Sequence, residues 1–194
     1  AGVDDYMGFS FTFDERRNTS WIMNPTTGIA ALSSKKDSEQ QHGDKEIEVC
    51  AACHSRRGST FPDAQAGEPM LDNFQASLLT APRYHADGQI NEEVYVYGSF
   101  LQSKMYHAGV TCSDCHQPHS LKLRAEGNQL CGQCHLPAKY DTASHHFHEG
   151  IDSGSQCVNC HMPSKTYMGV DDRRDHSFRV PRPDLSQKLG VPNA

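Results

Sequence analysis

Eight cysteines fall in four pairs of one form: Cys50-Ala-Ala-Cys53-His54, Cys112-Ser-Asp-Cys115-His116, Cys131-Gly-Gln-Cys134-His135 and Cys157-Val-Asn-Cys160-His161. No cysteine is left over, which removes a lone reactive thiol or a disulfide framework from the reading. In a helical turn, positions i, i+3 and i+4 share one face, so two thiols and one imidazole point the same way. That arrangement serves two thioether bonds to a porphyrin edge and one nitrogen on its iron. CxxCH is accordingly the attachment signature of c-type haem. The sequence therefore predicts four covalently bound haem c groups, with His54, His116, His135 and His161 as the proximal iron ligands.

Zinc is the rival chemistry, since Cys112 to Cys134 spells C-x2-C-x15-C-x2-C, a zinc-ribbon spacing. The histidines decide against it. Histidine accounts for 12 of 194 residues. Finding one directly after all four pairs by chance is an event on the order of 10⁻⁵. Zinc has no need of a histidine there, and the first and fourth pairs would lack a matched partner. A thioredoxin-like dithiol would explain one pair but not four.

Eight histidines remain beyond the motifs: His42, His85, His107, His119, His145, His146, His148 and His176. Four haems with two axial ligands each need four of them, so the surplus favours bis-histidine ligation over His/Met ligation. His119 lies three residues after His116 and beyond Pro118, too tightly tethered to reach the far face of its own haem. It is better placed to ligate a neighbour. His145, His146 and His148 cluster before the fourth motif, and at least one is expected to be a ligand. Asp175 is positioned to orient His176. The distal set is read as His85, His119, His146, His148 and His176, with His42 solvated. The methionines, Met70 and Met105 among them, are expected to pack rather than ligate.

The elements that must hold these motifs are sparse. The intervals between cysteine pairs contain 58, 15 and 22 residues, so the second and third haems should be close in space, with the fourth beside them. Residues 1–45 form a haem-free arm. In it Phe9, Phe11 and Phe13 alternate as a strand, Asp14 to Asn18 turn, and Trp21 to Met23 return as its hairpin partner. Ser33 to Asp44 reads as a loop. Leu71, Phe74, Leu78 and Leu79 follow helical spacing up to Pro82. Asn91 caps a second predicted helix carrying Val94, Tyr97, Leu101 and Met105 along one face. Residues 46–180 form the tetrahaem core, and 181–194 an extended proline-containing tail. Arg173, Arg174, Arg179 and Arg182 are available to pair with haem propionates. The fold class expected is mainly α with high loop content, built on stacked haem pairs.

Composition fits a chain whose interior is partly cofactor. Hydrophobic residues make up 36%. Dropping Tyr and adding Gly brings this to roughly 40%, below the usual ~45–50%. The longest apolar run, Gly28 to Leu32, is too short to span a membrane. With 18 Lys and Arg against 24 Asp and Glu, the formal charge is −6, which excludes a strongly basic nucleic-acid binder. Ionised propionates on four ferric haems would take the total to about −10. The sequence begins at Ala1 rather than Met, which is read as an export signal removed or left out.

After residue 45 the chain resembles the multihaem c-type cytochromes. The resemblance lies in three runs: Ser99-Phe-Leu-Gln-Ser-Lys-Met-Tyr-His-Ala-Gly-Val-Thr-Cys-Ser-Asp-Cys-His-Gln-Pro-His119, Cys157-Val-Asn-Cys-His-Met-Pro163 and Arg173-Arg-Asp-His-Ser-Phe178. Similar groups are the tetrahaem electron carriers of ammonia oxidisers, larger cytochromes with tetratricopeptide repeats, and small tetrahaem cytochromes that polymerise into extracellular conductive filaments. The resemblance implies stacked haem pairs. It also implies distal ligation by His85, His119, the 145–148 cluster and His176.

The function expected is electron relay by an exported, periplasmic or extracellular protein, not an enzyme. Its partners are redox proteins, or copies of itself in a filament. The alternative is a multihaem reductase of a small nitrogen or sulfur oxyanion at a five-coordinate haem. The eight spare histidines and the lack of a CxxCK motif count against that alternative.

Overall fold

The computed structural model describes residues 19–34, 44–61, 63–118, 120–150 and 152–192. The Phe9–Phe13 strand, the Asp14–Asn18 turn, His42 and His119 lie outside them. Strand β1 (Thr19–Asn24) pairs antiparallel with β2 (Ile29–Ser34), placing Trp21 opposite Leu32. Trp21–Met23 pair downstream with residues 29–34, so Ser33 and Ser34 lie in a strand and not in a loop, while the expected upstream partner, Phe9–Phe13, lies outside the described residues. The turn explains the choice. Asn24 Oδ1 accepts from the amides of Thr26 and Thr27, and Gly28 takes the left-handed φ of 70° that a tight return needs.

Helix α1 (Asp44–His54) carries the whole first motif. Strand β3 (Arg57–Ser59), the single turn α2 (Met70–Asn73) and strand β4 (Phe74–Ala76) follow, with β3 paired antiparallel to β4. The helix expected over Leu71–Leu79 is therefore confined to its first turn. Phe74 pairs with the chain leaving the first motif, and the Arg57 guanidinium covers its ring at 3.8 Å. Leu78 is exposed.

The second expected helix is also shorter than its apolar spacing. Asn91 does not cap it; its side-chain amide donates to the Pro82 carbonyl at 2.8 Å. Residues 94–96 run beside the exit of the first motif, where Arg56 N donates to Val94 O and Val96 N to His54 O. Helix begins only at α3 (Tyr97–Phe100) and resumes in α4 (Lys104–His107). The left-handed Tyr95 (φ 59°) breaks the helical run, and Val96 is the first residue back in the right-handed region, ahead of α3.

The second motif occupies α5 (Cys112–Cys115) and the start of β5 (His116–Gln117), which pairs with β6 (Lys122–Leu123). The third straddles the end of α6 (Asn128–Gly132) and is followed by α7 (Pro137–Tyr140) and α8 (Ala143–His146). The fourth lies within α9 (Cys157–His161), ahead of the antiparallel pair β7 (Ser164–Tyr167) and β8 (Asp171–Arg174). The tail is not extended, because Pro183–Leu189 form helix α10. Its signals are local: Pro183 at the first turn, Asp184 beside the helix start and left-handed Gly190 (φ 65°) at its end.

Two small apolar clusters organise the described polypeptide. One gathers Ile47, Ala51, Met70, Tyr97 and Phe100 against α1; the other gathers Tyr84, Ile90, Val94 and Tyr167. Met70 is 2% exposed and packs in the first cluster. Among the described residues no helix is long and apolar enough to cross a membrane.

Candidate functional site

The four motifs form two matched pairs. In the first, Glu46 lies one helical turn before Cys50 and is 4% exposed. Its carboxylate accepts from Ser113 N at 2.6 Å and from Ser113 Oγ at 2.8 Å, binding α1 to the start of α5. In the second, Asn128 lies one turn before Cys131. Its Oδ1 accepts from Cys157 N at 3.0 Å, and its Nδ2 donates to Ser155 O at 2.8 Å and to Asp141 Oδ1 at 2.9 Å. In both pairs a polar side chain ahead of one motif caps the helix that begins the next.

The sulfurs follow the same pairing. The Cys50 thiol hydrogen-bonds that of Cys112, and Cys131 that of Cys157. A further contact joins the pairs, because Cys115 lies within electrostatic reach of Cys134. The motifs are therefore strung in chain order, first to second, second to third, third to fourth.

Five of the eight thiols, Cys112, Cys115, Cys131, Cys134 and Cys157, are held above their ordinary range. Burial pushes Cys115 up to about 11, aided by the Asp114 charge. Burial also raises Cys157 to about 11, with Cys131 and Asp141 adding to it. Cys131 and Cys134 rise for the same first reason. The hydrogen bond between Cys50 and Cys112 holds Cys112 well above the thiol range and Cys50 below its usual value. A redox dithiol would instead be expected to lower its thiol pKa through nearby positive charge. Nor, among the described residues, do three or more His, Cys, Asp or Glu side chains gather as a zinc cage requires.

The histidines divide the same way. His116 stacks on His176 with centroids 6.2 Å apart and ring planes 23° apart, and both feel the charge of His54. His161 stacks on His145 at 6.1 Å and 16°, and both act electrostatically on His135. Desolvation by packing is the first cause that lowers His116, His135 and His176, keeping each imidazole in the neutral form a metal needs. Backbone carbonyls hold Nδ1 of two rings: Arg174 O lies 2.9 Å from His176, and Arg179 O 2.6 Å from His161. Each leaves Nε2 as the outward nitrogen.

The remaining histidines take distinct positions. His145 is the member of the 145–148 cluster that meets a motif histidine, His161. His146 and His148 face each other at 6.4 Å and line a cavity of about 590 Å3 with Asn128, Asp141 and Ser155. Gly154 makes room for His148, since a Cβ there would lie 2.2 Å from its Nδ1. Among the described residues His85 stacks on no proximal ring; its amide closes a turn with Gln89 O at 2.8 Å. Asp175 acts on His176 through its charge, while its oxygens accept from the amides of Ile90 and Ser177 and the ring's Nδ1 lies against Arg174 O. The arginines reserved for propionates are engaged within the protein: Arg173 by Glu93 and Asp171, Arg174 by the carbonyls of Val158 and Met162, Arg179 by Asp87, and Arg182 by Asp184.

The β1–β2 hairpin carries no motif, yet it joins the two pairs. Trp21 Nε1 donates to Asp114 Oδ1 at 3.2 Å beside the second motif. Ala30 N donates to Cys134 O at 2.8 Å, and Leu136 N to Gly28 O at 2.8 Å, beside the third. Lys139 and the Tyr140 hydroxyl also donate to Thr27 O. Sequence reasoning missed this clasp, since Asp114 occupies a variable position of its motif and the hairpin carries no motif.

Residues 105–140 match the family described as the doubled CXXCH motif, a span that takes in the second and third motifs whole. The match supports a c-type cytochrome with covalently bound haem, of the multihaem kind that carries electrons. No curated protein and no solved structure matches the chain.

Proposed function

We propose that the chain is a tetrahaem electron-transfer protein whose four cofactors follow one another in motif order. The observation that carries the reading is the spacing of two near-parallel imidazole pairs. With metal–nitrogen bonds of about 2.0 Å, two imidazoles on opposite faces of one iron have centroids roughly 6.3 Å apart. His116 with His176 stand at 6.2 Å, and His161 with His145 at 6.1 Å. The donor set suits the group: two thiols and one imidazole per motif, neutral histidines, and carbonyl-anchored rings.

Haem c, once bound, supplies a one-electron ferric/ferrous couple at each site. The chain's own residues do the rest. Cys50, Cys53, Cys112, Cys115, Cys131, Cys134, Cys157 and Cys160 are the covalent anchors, and His54, His116, His135 and His161 the proximal ligands. His176 serves the second site and His145 the fourth. The distal partners of His54 and His135 are drawn from His85, His119, His146 and His148. Glu46 and Asn128 fix spacing within each pair, and the hairpin fixes spacing between pairs. Were two histidines held at each iron, no position would remain for substrate, which favours relay over reduction of an oxyanion.

Mass spectrometry of the protein matured with haem should count four covalent haems, and electron paramagnetic resonance should show only low-spin ferric signals. A five-coordinate high-spin centre in the unaltered protein would turn the reading towards the reductase. Export and a redox protein as partner belong to this proposal. Assembly of copies into a filament is separable, and microscopy at high concentration decides it: dispersed monomers alone would exclude it.

A further inference from the structure

The two motif pairs are alike in construction but differ in one charge. Where the first pair is bridged by the carboxylate of Glu46, the second is bridged by the neutral amide of Asn128. Glu46 is buried at 4% exposure, and its field reaches both Cys50 and Cys112. A buried negative charge is weakly screened, and it favours the more positive, oxidised form of a nearby metal centre.

The other charges at these junctions are closer to solvent. Asp141 faces Cys131 and Cys157, but it is exposed. Asp114 is half-buried and acts on Cys115 and Cys134, one from each pair, so it separates the pairs little. Arg124 is exposed and its charge reaches Cys115. Among the described residues, Glu46 is the buried charge that bridges the first junction, and a neutral amide stands in its place at the second.

We propose that Glu46 holds the first haem pair at lower reduction potential than the second, giving the relay a direction from the N-terminal to the C-terminal motifs. One electron enters the first pair from a reduced redox protein and one leaves the second pair to an oxidised one. No bond or proton moves. The inference rests on the tetrahaem reading above and adds to it a polarity and the residue that sets it.

Spectroelectrochemical titration of the haem-loaded protein, unaltered and as Glu46→Gln, tests this. Glutamine keeps the size and an acceptor for Ser113 N while removing the charge. The two lowest potentials should rise, with the reduced-to-oxidised ratio at a fixed potential increasing about tenfold, or about 59 mV for a one-electron centre. Glu46→Asp, which keeps the charge, should restore most of the shift, and Asp141→Asn should move its pair by less. Four bound haems with unmoved potentials overturn the inference alone, as does a rise confined to the two highest potentials. Should Glu46→Gln fail to load haem, nuclear magnetic resonance during titration of the unaltered protein decides. The centres at Cys50–Cys53 and Cys112–Cys115 must be the last reduced, and finding them first reduced overturns the direction. Unaltered protein without covalent haem overturns the tetrahaem reading and the inference together.

Discussion

Replacing His145 by alanine should open one face of one iron and leave the other three centres six-coordinate. His145 meets His161 at 6.1 Å, and it is the ring that pairs with that proximal histidine. Its neighbours His146 and His148 face each other instead, and the His148 amide donates to His146 Nδ1 at 3.2 Å. With four centres in the chain, the high-spin ferric signal should grow from none to about one quarter of the iron. His176→Ala should do the same at the second motif. Because the two residues serve different motif pairs, the double variant should reach about one half, the sum of the singles. The assay is integrated electron paramagnetic resonance, with added imidazole expected to return the low-spin signal. A wholly low-spin His145→Ala protein refutes the ring-pair assignment. So does a quarter-iron signal that follows His148→Ala instead.

Other outcomes concern the scaffold. Gly98→Ala places a Cβ at 2.3 Å from the Tyr84 hydroxyl; the overpacking should cost about 1–3 kcal/mol, read by denaturant unfolding of the haem-loaded protein. Met70→Ala empties a site 2% exposed in the α1 cluster and should cost about 2–5 kcal/mol in the same measurement. Trp21→Phe removes the indole donor to Asp114 and should cost about 1 kcal/mol. Because that bond ties the hairpin that links the two motif pairs to the second motif, the substitution should also slow electron exchange between them in stopped-flow reduction, whereas Met70→Ala should not.

The sequence disclosed chemistry that is local and concealed what depends on long-range pairing. The spacing in Cys157–His161 lies within one helix, as anticipated, and so does Cys50–His54. Even there the local rule has an edge: His116 lies beyond the end of α5, in β5, because the chain turns into a strand pair. That His145, and not His146 or His148, meets His161 is illegible in the sequence, since α8 must be docked before its last turn has a direction. Leu71 to Leu79 showed a helical period, but pairing of Phe74–Ala76 with Arg57–Ser59 overrode it. The α10 helix was legible in principle from Pro183 and Gly190, and the run of prolines obscured it. The bridging roles of Glu46 and Asn128 left no mark, because a capping residue 67 positions from its partner has no sequence periodicity.

The β1–β2 hairpin touches the second motif through Trp21 and the third through Gly28 and Ala30. In a relay, tunnelling slows exponentially with the gap between donor and acceptor, so the widest gap governs throughput. The strand pair that holds the two halves in register, though it supplies no ligand and no charge to either, therefore acts as a spacer gauge. Substitutions in its turn would be felt as current rather than as colour: the haem spectrum would stay the same while the rate of electron passage between the pairs fell.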